Sequence, residues 1–279
     1  MDSLKGKFSS DVVWNIASLV VLGLAGIVIN IAIARLVGAD ALGVFNQVFA
    51  VYIFLSQICV GGVHFSVLKE ISYAQDDLEK CSTVTSSALV LSALISLVIC
   101  AIALLFSNQL ALVLDSPDVG KGMFCAIPGL LFFSLNKNLL NVLNGLQWMR
   151  AFAIFQALRF VGILLAILGI IFLGNEAWML PLSLTISEVV LFITLGLFVN
   201  TQVIKFSPFK ASKEWIRTHF SFGMRGFLSG VFTEINTRVD VLMLGLFLGD
   251  AKVGIYSFAA ILAEGFSQIP FVLRKMSIQ

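Results

Sequence analysis

Charge is what this sequence has least of. Only 12% of its 279 residues are Asp, Glu, Lys or Arg, and the net charge is +2. So small an excess does not suggest nucleic acid as a partner. Histidine is scarcer still: His64 and His219 stand alone and far apart. The four cysteines, Cys59, Cys81, Cys100 and Cys125, form no CxxC or Cys/His spacing. A disulfide framework or zinc site is therefore not expected, and the thiols read as small apolar fillers. There is no phosphate loop, no metal-ligand spacing and no serine paired with a histidine. The expectation is a non-enzyme with no metal and no cofactor. No window alternates with period two between hairpin turns, which disfavours a membrane barrel.

What is present is apolar. The chain is 59% hydrophobic, with a mean hydropathy of +1.00. A soluble domain of this length could not hide that much apolar surface. Between Asp11 and Leu273 there are eight apolar stretches, at about 11–34, 44–68, 83–106, 123–145, 151–173, 178–200, 222–248 and 253–273. A bilayer core of about 30 Å takes roughly 20 helical residues to cross. The expected fold class is an all-α membrane protein with about eight transmembrane helices. Lys5 and Lys7 precede the first stretch, as in a signal peptide. The run from Val12 to Ala34 exceeds an h-region of about 7–15 residues, so it reads as an uncleaved span.

Lysine and arginine set the orientation. With the N-terminus in the cytoplasm, twelve fall on the inner side, from Lys5 to Lys275. Only Arg35, Lys121 and Lys252 fall on the outer side. That is a positive-inside bias. The longest inner segment, 201–221, holds Pro208, a basic cluster and Trp215. It reads as a linker with a short interfacial amphipathic piece. The expected division is a six-helix lobe over 1–200, a linker over 201–221, and two helices of a second lobe over 222–279.

The turns after spans 1 and 7 echo each other. Gly38 to Phe45 and Gly249 to Tyr256 both read Gly-x4-Gly-x-aromatic, at an offset of 211 residues. Six spans lie within that offset, so the copies would be parallel, related by a pseudo-two-fold along the membrane normal. Two full copies would make about 420 residues, and the expectation is a second lobe cut short.

Four segments carry a resemblance. They are Ala34 to Gly38 with Gly43-Val44-Phe45, Gly62 to Ile71, Asn144 to Phe152, and Thr237 to Asp240 with Leu244-Gly245, Gly249 and Gly254-Ile255-Tyr256. In this order and spacing the chain resembles the polysaccharide transporter branch of the multidrug/oligosaccharidyl-lipid/polysaccharide exporter superfamily, the O-antigen-type flippases. The resemblance implies a lipid-linked oligosaccharide on undecaprenyl diphosphate, moved from the inner to the outer leaflet for O-antigen, lipopolysaccharide or capsule synthesis. It implies membrane lipid and a polysaccharide polymerase as partners, no nucleic acid, and a bacterial inner membrane. The family has twelve to fourteen helices, so the resemblance also marks this C-terminus as early. Two rival readings stay open: a cation-coupled drug exporter of the same superfamily, and a non-transporting truncated fragment.

Charges within a span cost roughly 2.5–3.5 kcal/mol each and mark candidate sites. Lys137 and Arg159 lie at similar depth on successive helices and could form a cationic mouth for a diphosphate, with Asn141 and Gln156 for sugar hydroxyls. The competing reading for both bases is snorkelling to the interface. Arg238 shares a face with Glu234, four residues earlier, as a structural ion pair or a substrate contact. Glu188, Asp240 and Glu264 are candidates for coupling or gating, along with Glu234; each acid could also be neutral or paired across helices. The resemblance gives Arg35 a place in the first turn or outer gate. His64 reads as a packing histidine or a proton relay. Gly226 and Gly230 form a GxxxG suited to close helix contact.

Overall fold

The computed structural model describes residues 23–277 and, within them, all side chains except those of 229, 233–235, 237 and 264–277. Every regular element among them is helical. Helix α1 covers Gly23–Leu36. It is followed by α2 Ala39–Val60, α3 Val63–Tyr73, α4 Leu78–Val113, α5 Pro117–Gly145, α6 Met149–Phe172, α7 Leu182–Phe198, α8 Lys213–Gly245 and α9 Asp250–Ser277. Five stretches are long and apolar enough to cross a membrane: Ala39–Val60, Leu78–Val113, Pro117–Gly145, Met149–Phe172 and Ala177–Val203.

Local chemistry sets the helix ends. Asp77 caps α4 by accepting the Lys80 N–H at 2.9 Å. Ser116 caps α5, and Pro117 opens it where no donor is lost. Inside α5, Pro128 interrupts the backbone ladder. Thr185 of α7 repairs the gap: its hydroxyl donates to the Cys125 carbonyl at 2.6 Å and accepts from the Gly129 N–H at 3.0 Å. The same bonds fasten α5 to α7.

The second apolar stretch is not one rod. It breaks at Gly61 and Gly62, both in the left-handed region with φ of 55° and 70°. Two glycines in succession make that break cheap. A Cβ on Gly62 would also lie 2.5 Å from the Gly223 carbonyl oxygen, so α8 crosses the break at backbone contact. The close approach expected at Gly226 and Gly230 is at Gly223 instead. Gly226 faces the Phe65 ring at 3.5 Å and Gly230 faces Gln57 at 4.0 Å, ordinary distances for a Cβ.

The segment expected as a linker over 201–221 is helical from Lys213 onward, continuous with the seventh stretch. What precedes it is bolted along α4. Ser82 Oγ donates to the Lys205 carbonyl. The Ser207 N–H donates to Ser86 Oγ at 3.1 Å, and the Ser212 N–H to Ser87 Oγ at 2.8 Å. A row of small hydroxyls on α4 thus satisfies backbone that would otherwise lack partners.

Helices α1 to α7 share two apolar clusters. One gathers Ile33, Leu42, Met123, Ile127, Ile167 and Leu184 toward the end holding Gly38 and Ser116, the Gly38 end. The other gathers Val67, Ile71, Val84, Leu139, Leu143 and Leu195 toward the end holding Lys69 and Lys80, the Lys80 end. Helices α8 and α9 join α2 through a third, small cluster of Ala50, Val241 and Val253.

Candidate functional site

Helix α8 runs antiparallel to α2, and the contacts between them define a seam. From the Gly38 end to the Lys80 end, Gly245 meets Gln47, Arg238 meets Phe49, Gly230 meets Gln57, and Gly223 meets Gly62. The Arg238 guanidinium lies over the Phe49 ring, 5.7 Å from its centroid. Behind Gln57 stands Lys137 of α5, whose Nζ donates to Gln57 Oε1 at 3.3 Å. Lys137 lies eight residues before the end of α5 at Gly145, or ~12 Å along the helix.

Phe133 joins the two bases. Lys137 Nζ is 5.6 Å from its centroid and the Arg159 guanidinium 4.7 Å. Tyr52 meets the same ring edge-on at 6.0 Å. A ring between two cations offsets part of their mutual repulsion through its quadrupole. The structure thus brings Lys137 and Arg159 to one ring, but it does not leave them equivalent.

Arg159 turns inward. Its Nε lies 2.7 Å from Glu188 Oε1, and both side chains are largely buried. Asn136 Nδ2 donates to the Glu188 carboxylate at 2.8 Å and to its main-chain carbonyl at 2.9 Å. Ser187 Oγ donates to the Arg159 carbonyl at 2.6 Å. Glu188 therefore pairs across helices, and Arg159 does not snorkel toward the interface. A buried pair backed by further hydrogen bonds fixes α5, α6 and α7 against one another.

The remaining candidates sit apart from this hub. Asn141 donates one amide N–H to the Lys137 carbonyl of its own helix at 2.8 Å. Gln156 is half-buried on α6. Asp240 accepts from Tyr256 of α9 at 2.7 Å. Arg35 is exposed at the end of α1. The side chains of Glu234 and Glu264, and so the Glu234–Arg238 pair, lie outside the described residues. His64 is buried against Phe65, its Nδ1 making no hydrogen bond. No cluster of His, Cys, Asp and Glu suited to a metal occurs among the described residues.

Three members of the site escape a reading of the sequence: Gln57, Phe133 and Tyr52. Phe133 stands four residues before Lys137 and so shares its helix face, which is a usable signal. Gln57 is an amide within an apolar stretch, which usually bonds a neighbouring helix.

The sequence profile of the family described as polysaccharide biosynthesis protein matches residues 9–271. The chain belongs to that family. No curated protein sequence matches it. Solved structures share its fold. One is the MATE multidrug transporter DinF-BH in complex with R6G, at TM-score 0.69 and 17% identity, covering 93% of this chain and 61% of that one. Another is the eukaryotic MATE transporter AtDTX14, at TM-score 0.62 and 14% identity, covering 95% and 62%. A third is a MOP superfamily transporter from Pyrococcus furiosus, at TM-score 0.64 and 15% identity, covering 93% and 66%. This member of the polysaccharide biosynthesis family spans about three fifths of the length of the first two. It is a multi-pass membrane protein with a MATE-like helical fold, and its polar hub lies inside the first seven helices.

Proposed function

We propose that this chain serves a transporter that flips a lipid-linked oligosaccharide, with its diphosphate passing along the α2–α8 seam and its lipid tail left in the bilayer. The lobes would rock about the seam, exposing the sugar first on the Lys80 side and then on the Gly38 side. The Lys80 side would be cytoplasmic, in keeping with the excess of basic residues there. The observation that carries the reading is Lys137. It is a cation ~12 Å deep, placed on the seam through Gln57, in a chain whose family is polysaccharide biosynthesis. A diphosphate in a low-dielectric seam needs such a partner, and Lys supplies a mobile point charge with three donors. Arg159 supports from behind; its charge is matched by Glu188.

The drug-exporter reading needs an acid available to a cationic substrate. Of the in-span acids whose side chains are described, Glu188 is held by Arg159 and Asn136, and Asp240 by Tyr256. The match to a polysaccharide biosynthesis family favours the flippase reading. Its test is Lys137→Gln in the native membrane, with polymer export and dye efflux both measured. Losing a charged hydrogen-bond partner costs ~1.5–3 kcal/mol, so export should fall roughly ten- to hundredfold. Wild-type export with reduced efflux of a cationic dye would replace this reading with the other.

A further inference from the structure

The two turns that echo at an offset of 211 residues touch each other. Ala39 opens α2 and Asp250 opens α9, at equal positions in the two copies. Gly43 and Gly254 are likewise equivalent. A Cβ on Gly43 would collide with the Asp250 carbonyl, and a Cβ on Gly254 would collide with the Ala39 carbonyl. The contact is reciprocal, as across a two-fold axis.

The Asp250 side chain has no counterpart, because position 39 is alanine. Its Oδ1 accepts from Gln47 Nε2 at 2.7 Å and its Oδ2 from Ser116 Oγ at 2.8 Å. One carboxylate on α9 is thereby tied both to α2 and to the turn between α4 and α5. Both donors are buried. Both are also neutral, and among the described residues Asp250 forms no ion pair. The anion sits in the first turn of α9, where the helix dipole favours it.

We propose that Asp250 is a releasable latch that holds α9 against α2 and the α4–α5 turn, and that the Gly38 end of the seam opens when its two hydrogen bonds pass to water. The proposal rests on the transport reading above. At the end of a helix bundle water can take the place of both donors, so opening costs only the net difference between protein and water hydrogen bonds. The Arg159–Glu188 pair, buried within the bundle, has no such exchange partner. The first kind of contact suits a joint made and broken in each cycle. The second suits a permanent one.

Val253 is fully buried less than one turn beyond Asp250, so a cysteine there reports opening. The experiment uses Val253→Cys in a Cys125→Ser background and a membrane-impermeant maleimide supplied to each side in turn. Asp250→Ala should raise labelling at residue 253 about tenfold or more, the effect of a ~1.4 kcal/mol shift in population. Asp250→Asn, which keeps an acceptor for Gln47, should raise it less. Native Cys81, buried at the Lys80 end, serves as the control for general loosening. Unchanged labelling at residue 253 in Asp250→Ala overturns the latch, and so does an equal rise at Cys81. Labelling requires no transport, so either failure leaves the flippase reading to be judged by Lys137 and polymer export.

Discussion

The two ends of the α2–α8 seam are closed by different chemistry. At the Gly38 end, backbone meets backbone through Gly43 and Gly254, and one carboxylate on neutral donors spans the joint. At the Lys80 end backbone also meets backbone, at Gly62 and Gly223, but there many side chains add their hold on backbone. Serines of α4 grip residues 205–212, and His219 of α8 is clamped between Ser66 Oγ at 2.8 Å and the Val84 carbonyl at 3.1 Å. To its backbone contact and carboxylate the first joint adds only the small apolar cluster of Ala50, Val241 and Val253. The second is stitched at many points, and would have to unpick each of them. The difference implies that the two ends move differently, with α8 held to α3 and α4 at the Lys80 end and able to part from α2 at the other.

The largest expected effect lies in neither joint but in the Arg159–Glu188 pair. Glu188→Ala leaves Arg159 buried and unpaired, which should cost ~3–5 kcal/mol and sharply reduce the folded protein recovered from membranes. Replacing both partners, Arg159→Met with Glu188→Leu, should be milder than the single change. A double variant as damaged as the single would mean that the pair does more than fix the helices.

Next come the glycines. Gly43→Ala and Gly254→Ala each push a methyl group into a carbonyl, at about 1–3 kcal/mol each. Because the contact is reciprocal, the two should lower thermal stability by similar amounts. Gly230→Ala, with 4.0 Å of room toward Gln57, should be tolerated. Unequal effects at residues 43 and 254 would break the two-fold picture.

At the Lys80 end the effects should be smaller and depend on pH. Burial lowers the pKa of His219 from its ordinary value, while the Val84 carbonyl and Glu70 oppose the shift. A histidine kept neutral when folded binds fewer protons there than when unfolded, so its contribution is present above pH ~6.5 and is lost as pH falls below it. Protection from hydrogen exchange at residues 213–221, corrected for the intrinsic rate, should weaken on acidification, and His219→Phe should abolish that dependence. Smallest of all, Ser87→Ala should cost about 1 kcal/mol, read as faster exchange at residue 212 alone.

Much of the fold was legible because a span announces itself by length and composition. The stretches at 123–145 and 151–173 end within one residue of α5 and α6. The echo was legible because turns need particular residues: Gly38 and Gly249 each precede a helix that begins at the next residue. The break at Gly61–Gly62 was not, since two glycines in an apolar run are common and only the backbone of α8 pressing on them shows their purpose. Glu188 and Arg159 were each visible as in-span charges. Their pairing was not, because they lie on different helices, 29 residues apart, and helical spacing relates only residues on one helix. The seam itself was hidden for the same reason: Gln57 and Lys137 are 80 residues apart and share no pattern.

The central claim is that the α2–α9 contact at the Gly38 end must open for transport. Ala50 and Val253 pack in one cluster across it, so cysteines at both, joined by a short reversible cross-linker, would pin the seam shut. Polymer export should stop on cross-linking and return when the link is reduced. Export that continues with the link intact would contradict it.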